Sequence, residues 1–282
     1  MEGGVLILDF GSQVTQLIAR RLRELNVYSE LHPFNVSLET IRKKRPKAII
    51  LSGGPLSVND ESSPKRDLSE LAEIAPLMGI CYGMQLMAQQ NGGIVEKATV
   101  REYGKKEVSW DHAIADVPKE QTVWMSHGDV VKVPPPGFKV LAKSDEGHPA
   151  ALENDNLFAV QFHPEVSHTD AGTEVLRYFV FEKAKVEANW KPDHIVTDLK
   201  RKIRDQVGED EHVIVGLSGG VDSTVAARLV TKALGQKRVH CYFINNGLLR
   251  KGEYEEVLDR YKGLGLNVSG VDAEKVFLMD LA

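Results

Sequence analysis

The chain has 282 residues, of which 42% are hydrophobic and 27% charged, with a formal net charge of -5. That length accommodates two domains with real cores, and the slight acidity leaves no basic field to draw in a nucleic-acid backbone. No apolar run approaches the roughly 20 residues that span a bilayer, and the N-terminus lacks the basic flank and cleavage site of a signal peptide.

From the start, short apolar runs alternate with helical patterns, which predicts a parallel α/β sheet. Val5-Leu6-Ile7-Leu8 reads as a buried strand that turns at Asp9-Phe10-Gly11-Ser12. Residues 13–25 then carry Leu17, Ile18, Leu22 and Leu25 at helical spacing. The unit repeats with Ala48-Ile49-Ile50-Leu51 and again with 77–81 running into 84–90. Between about 94 and 162 the pattern is strand-rich, clearest at Val123-Trp124-Met125 and 157–162. A helix over about 171–185 closes this first unit, expected to occupy 1–186. Residues 187–208 read as a linker and connecting helix, the helix from about 193. A second α/β unit over 209–282 then has a strand at 213–217, a helix at 221–234 and a strand at 239–244. About three strands make a thin sheet for such a fold, and the chain stops in the apolar stretch Val276-Phe277-Leu278-Met279. The expectation is a second domain cut short.

Only two cysteines occur, Cys81 and Cys241, far apart and in no metal-ligand spacing. A cytoplasmic protein with reduced thiols and no structural metal site is expected. Cys81 sits in Gly79-Ile80-Cys81-Tyr82-Gly83-Met84-Gln85, where a buried strand turns into a helix. Flanking glycines allow close backbone approach, and a nucleophile on such an elbow is pushed outward. The helix start offers free N–H groups and a positive dipole end to a sulfur anion or a developing oxyanion. Most cysteines are small core hydrophobes, which is the reading for Cys241, but the paired glycines favour a nucleophile at 81.

A nucleophilic thiol needs a base. Two of the nine histidines stand at a strand end with an acid two positions later: His163-Pro164-Glu165 and His127-Gly128-Asp129. In extended chain i and i+2 point the same way, so either acid could orient its histidine. Spacing alone does not choose between them. Ser52-Gly53-Gly54-Pro55 follows another strand and places a glycine amide at the same sheet edge as Cys81, where ligands of open parallel sheets bind. An ordinary Gly-Gly-Pro turn is the plain alternative. In the second unit, Leu217-Ser218-Gly219-Gly220-Val221-Asp222-Ser223-Thr224 links a strand to a helix start. Small residues and bare amides there can cradle a phosphate, or simply cap the helix. No Gly-Lys-Ser/Thr follows, so it is not a Walker A loop.

Together the Cys81 elbow, Ser52-Gly53-Gly54-Pro55, Trp124-Met125-Ser126-His127-Gly128-Asp129 and Gln161-Phe162-His163-Pro164-Glu165 resemble the class I glutamine amidotransferases over roughly 5–185. The resemblance implies that family's three-layer open α/β sheet. It also implies Cys81 as nucleophile, His163 as general base and acid, and Glu165 orienting His163. Gly54 and Tyr82 would donate backbone N–H groups to the oxyanion, and Gln85, Gly128 and Asp129 would hold glutamine. The string Ser218-Gly219-Gly220-Val221-Asp222-Ser223 resembles the pyrophosphate loop of the ATP pyrophosphatases, which implies a partial parallel α/β domain binding ATP with Mg²⁺ through those residues. Asn245 stands where many relatives carry an acid and is not assigned to metal.

Asn246-Gly247-Leu248-Leu249-Arg250-Lys251-Gly252-Glu253 and Leu8-Asp9-Phe10-Gly11-Ser12-Gln13 are similar to segments of the GMP synthetases. That likeness implies ammonia from glutamine passing to adenylylated XMP, and a homodimer formed through a C-terminal domain beyond residue 282. A chain cut short would then hydrolyse glutamine without making GMP. Rival expectations are another ATP-pyrophosphatase ligase such as an NAD synthetase relative, an anthranilate-type amidotransferase, or a silent glutamine- or nucleotide-sensing module.

Overall fold

A computed structural model describes residues 3–281. The chain divides into two compact units, Met1–Trp190 and Lys191–Ala282. Among the described residues the first unit holds one nine-stranded sheet. Strand β1 (Val5–Asp9) lies between β2 (Ser29–Pro33) and β3 (Ala48–Leu51), and β3 pairs in parallel with β4 (Leu77–Ile80). Strands β1, β3 and β4 read as apolar runs because both their faces are covered, whereas the edge strand β2, Ser-Glu-Leu-His-Pro, is only partly buried. In β1, Val5 and Ile7 enter one core cluster while Leu6 and Leu8 enter the other.

Helix α1 (Thr15–Glu24) buries Ile18 and Leu22 against the first of these clusters. Helix α2 (Leu38–Lys44) is capped by the Ser37 hydroxyl accepting from the Thr40 amide at 3.2 Å. The short α3 (Ser69–Ala72) buries Leu71, and α4 (Tyr82–Gln90) follows β4 and is buried for most of its length.

The strand-rich stretch is a long antiparallel hairpin, β5 (Ile94–Trp110) with β6 (Glu120–Val133), followed by β7 (Lys139–Ser144) and β8 (Pro149–Asn154). Strand β9 (Leu157–Val160) pairs antiparallel with β8 and parallel with β4. It is thus the junction between the parallel and antiparallel halves of the sheet. The closing helix begins as α5 (Gly172–Arg177) and passes into a π-helical turn over Tyr178–Lys183. The Trp190 amide donates to the Asn26 carbonyl at 2.8 Å, fastening the end of this unit to the turn after α1.

The second unit opens with α6 (Pro192–Gln206), which packs on α7 (Val221–Leu234). Its sheet is parallel, in the order β10 (Val213–Leu217), β11 (Val239–Asn245), β12 (Val268–Asp272). Helices α8 (Glu253–Gly263) and α9 (Glu274–Leu281) complete it. Its core gathers eight buried residues, among them Cys241, Phe243 and Tyr261. Ile214, Val276 and Met279 stay more than half exposed.

The tightest backbone approach lies where β4 enters α4. A Cβ on Gly79 would stand 2.6 Å from the carbonyl carbon and oxygen of Gly83, and one on Gly83 would stand 2.6 Å from the Leu51 carbonyl oxygen. Gly79→Ala is therefore expected to cost about 1–3 kcal/mol or more of stability through overpacking. Gly216→Ala, with nothing within 4 Å of its Cβ, should change stability by less than about 0.5 kcal/mol. Chemical denaturation of the two variants compares them, and equal loss would contradict the packing argument.

Candidate active site

Cys81 is the hinge between β4 and α4, with φ 52° and ψ -104°. Few side chains adopt such a backbone. It is held there by the Gly79–Gly83 contact below and by the Cys81 amide donating to the Val160 carbonyl at 2.9 Å. Its Sγ lies 3.8 Å from the Ser126 carbonyl oxygen of β6.

Because Ile80 stands opposite Val160 in the parallel pair, the chain beyond β9 leaves the sheet beside Cys81. It delivers His163 to the same edge. The His163 backbone is tied down on both sides: its amide donates to the Trp124 carbonyl at 3.0 Å, and its carbonyl accepts from the Thr169 hydroxyl at 2.6 Å. That hydroxyl also accepts from the Trp124 amide at 3.0 Å. The imidazole Nδ1 lies 2.8 Å from Glu165 Oε1, whose side chain is fully buried. The Glu165 carbonyl accepts from Arg21 Nε at 3.0 Å, which anchors the segment to α1.

Burial opposes a charge on His163, but hydrogen bonding to Cys81 and Glu165, with their negative charge, outweighs it and raises the imidazole to about 10. The β3 turn completes the convergence. A Cβ on Gly53 would lie 3.0 Å from His163 Cε1 and 3.6 Å from Cys81 Cβ, and one on Gly54 would lie 3.3 Å from Tyr82 Cγ. Only bare glycine backbone passes here without displacing the imidazole. Tyr82 is the first residue of α4, so its amide has no partner within the helix.

Above Cys81 opens a cleft of about 490 Å³ whose lining includes Gly54, Tyr82, Gln85, Gly128 and Asp129. Gln85 does not point freely into it. Its Nε2 donates to the Asp129 carbonyl at 2.8 Å and reaches Gln161 Oε1 at 3.3 Å. The Asp129 carboxylate in turn accepts from the Ser57 hydroxyl.

The other histidine of the sequence pattern has a different environment. His127 Nδ1 lies 2.9 Å from the Asp129 carbonyl, and Nε2 lies 3.4 Å from Glu102 Oε2. At that length the contact is weak, and neither Glu102 oxygen has a well-formed hydrogen bond among the described residues. Burial pushes His127 down to about 4 and Glu102 up. His127 is thus neutral at pH 7, and its Nδ1 contact with the Asp129 carbonyl braces that backbone. Thr169, Arg21, Glu102 and Ser57 carry no pattern in the sequence that marks them, because each acts through a contact far along the chain.

In the second unit, Ser218 to Ser223 form a compact loop from β10 into α7, with Gly219 at φ 81°. The Ser223 hydroxyl lies 3.2 Å from the Ser218 amide and 3.1 Å from the Ser218 hydroxyl. Gly220, Val221 and Asp222 lead into the first turn of α7.

Residues 6–183 match the model of the family described as glutamine amidotransferase class-I. The chain belongs to that family. Residues 194–279 match a second family, described as NAD synthase. A GMP synthase [glutamine-hydrolyzing] of Bdellovibrio bacteriovorus is 57% identical over 99% of this chain and 55% of its own length. One from Brachyspira hyodysenteriae is 50% identical with the same coverage. The chain thus spans about half the length of the curated relatives it matches. Among solved structures, a putative GMP synthase subunit from Thermoplasma acidophilum is 30% identical with a TM-score of 0.57. That match covers 64% of this chain and 92% of the other. The amidotransferase fold of the first unit and the parallel α/β layout of the second agree with the expectation from the sequence.

The two histidines make opposite contributions to pH-dependent stability. The raised His163 adds stability that is fully present below its ordinary 6.5 and lost as pH rises through about 10. The depressed His127 removes stability as pH falls from about 6.5 toward 4, because the unfolded chain takes up a proton the fold refuses. In His127→Gln the acid-side fall in the urea midpoint between pH 6.5 and 4 should flatten. An unchanged slope would show that His127 is not held neutral.

Proposed function

We propose that this chain hydrolyses glutamine at Cys81, and that the ammonia serves ATP-dependent amination of XMP to GMP. The observation that carries the first half is the meeting of Cys81, His163 and Glu165 at one sheet edge, with His163 favouring its protonated form. In this reading Cys81 Sγ attacks the carboxamide carbon, and the oxyanion accepts from the Gly54 and Tyr82 amides. His163 gives its proton to the amide nitrogen, the carbon–nitrogen bond breaks, and ammonia leaves behind a thioester. Water then attacks the thioester, its proton passes to His163, and glutamate departs as the thiolate is regenerated. Glu165 keeps Nε2 of His163 aimed at the reacting atoms by holding Nδ1. Gln85 fixes the Gly128–Asp129 backbone against which glutamine lies.

The second half rests on the relatives named GMP synthase, which match this chain throughout its length, whereas the NAD synthase match covers only the second unit. We assign Ser218, Gly219, Gly220, Val221, Asp222 and Ser223 to the ATP pyrophosphate. No cluster of three metal-binding side chains occurs among the described residues. Mg²⁺ bound with the nucleotide would neutralise the phosphate charge, with Asp222 the acid in that loop. On this reading 1–186 is the amidotransferase domain, 187–208 the connector, 209–282 the pyrophosphatase portion, and the cytoplasm the working compartment. No helix among the described residues is long and apolar enough to cross a membrane. The homodimer implied by the GMP synthetase likeness belongs to this proposal as well.

Cys81→Ala is expected to abolish glutamate release from glutamine while circular dichroism and the denaturation midpoint stay near wild type. Hydrolysis retained in that variant would sink the assignment. The synthetase half is checked by joining the chain to the remaining length of the Bdellovibrio relative and supplying XMP, ATP, Mg²⁺ and amide-¹⁵N glutamine. The label should appear in GMP, and unlabelled or absent GMP would refute it.

A further inference from the structure

The β5–β6 hairpin breaks its register beside the candidate active site. Lys97 pairs with Asp129 and Glu102 with His127, so four residues, 98–101, bulge out opposite Gly128 alone. The bulge overhangs the cleft, and Lys97, Arg101 and Tyr103 are among its lining residues. A Cβ on Gly128 would lie 3.8 Å from both Arg101 Nε and the Tyr103 hydroxyl. The guanidinium therefore lies over the very backbone that borders the cleft. No hydrogen bond or ion pair engages Arg101 or Lys97 among the described residues, and both side chains are exposed. Glu102, adjacent to Arg101 in sequence, is buried against His127, and burial raises its carboxyl. Asp129 is the acid among the cleft's lining residues.

Distances along β6 suit one particular ligand group. Cys81 Sγ stands beside the Ser126 carbonyl, and Arg101 stands beside Gly128. Positions two apart on a strand are separated by about 6.6 Å. In glutamine the carboxamide carbon and the α-carboxylate carbon are four bonds apart, roughly 5 Å when extended. A molecule with its amide at the sulfur thus brings its carboxylate under the guanidinium. A planar fork with no competing partner matches a carboxylate in two parallel hydrogen bonds.

Resting on the glutaminase reading above, the geometry points to Arg101 as the specificity-determining residue that binds the α-carboxylate of the amide substrate. Lys97 adds positive charge from the foot of the same bulge, and the α-ammonium lies toward Asp129. The site selects a free α-amino acid over a simple amide, because only a free α-carboxylate can occupy the fork. A buried backbone would do as much for any polar end group; a lone guanidinium on a bulge singles out an anion.

The test compares three amides, each as substrate and as competitive inhibitor: glutamine, glutaramic acid (no α-ammonium) and 4-aminobutanamide (no α-carboxylate). Arg101→Ala should lower kcat/KM for glutamine and glutaramic acid by about 10- to 100-fold, chiefly through KM. The constants for 4-aminobutanamide should not move. Arg101→Lys, which keeps the charge and loses the fork, should recover part of the loss. Equal losses for all three amides, or no loss for any, would overturn the role of Arg101 while leaving the glutaminase reading intact. Hydrolysis that survives Cys81→Ala, or a wild-type chain that hydrolyses none of the three, would instead bring down the glutaminase reading, and this inference with it.

Discussion

The first unit depends on a single parallel contact, β4 against β9, between segments that lie about eighty residues apart in the chain. Helices cannot make this contact, and no local turn could. It requires the whole antiparallel excursion through β5, β6, β7 and β8 to return the chain to the middle of the sheet. Once Ile80 and Val160 are opposite each other, Cys81 and His163 leave neighbouring strands at the same edge. The side-chain chemistry then follows from short-range geometry: two glycines pressed together under the cysteine, and a carboxylate two residues beyond the histidine. A register slip of one residue would turn every inward side chain of β9 to the other face and carry His163 away from the thiol.

The parts of this arrangement that can be read in sequence are those built from neighbours. Runs such as Val5-Leu6-Ile7-Leu8 announce strands buried on both faces, and Gly79 with Gly83 announces a tight elbow around Cys81. The choice between His127 and His163 cannot be read this way, since both have an acid at i+2. It is made by burial and long-range partners: His127 sits 3.4 Å from a buried Glu102 whose carboxyl burial raises, whereas His163 lies 2.8 Å from a carboxylate held by fixed backbone. Resemblance to a known family pointed to His163 where spacing could not. The long hairpin was visible only as a strand-rich stretch, because β5 is exposed over most of its length and shows no clean alternation. The helix over 171–185 was legible, but not its change to π geometry at Tyr178.

The two units also differ in how much they enclose. In the first, both faces of the parallel strands are covered, with one buried cluster on each. In the second, one modest cluster around Phe243 and Tyr261 serves the whole sheet, and Ile214 on β10 faces outward. A fold with one covered face buries less apolar area per residue and is correspondingly less stable. The first unit is thus the better candidate for independent folding, and its candidate site lies wholly within it.

The backbone of Cys81 has a meaning for how this position tolerates change. Its φ of 52° with ψ of -104° costs on the order of 1–3 kcal/mol for a residue bearing a side chain, and glycine would relieve most of that. The fold would therefore be more robust without any thiol there. A side chain at this position thus costs the fold free energy that a bare turn would not.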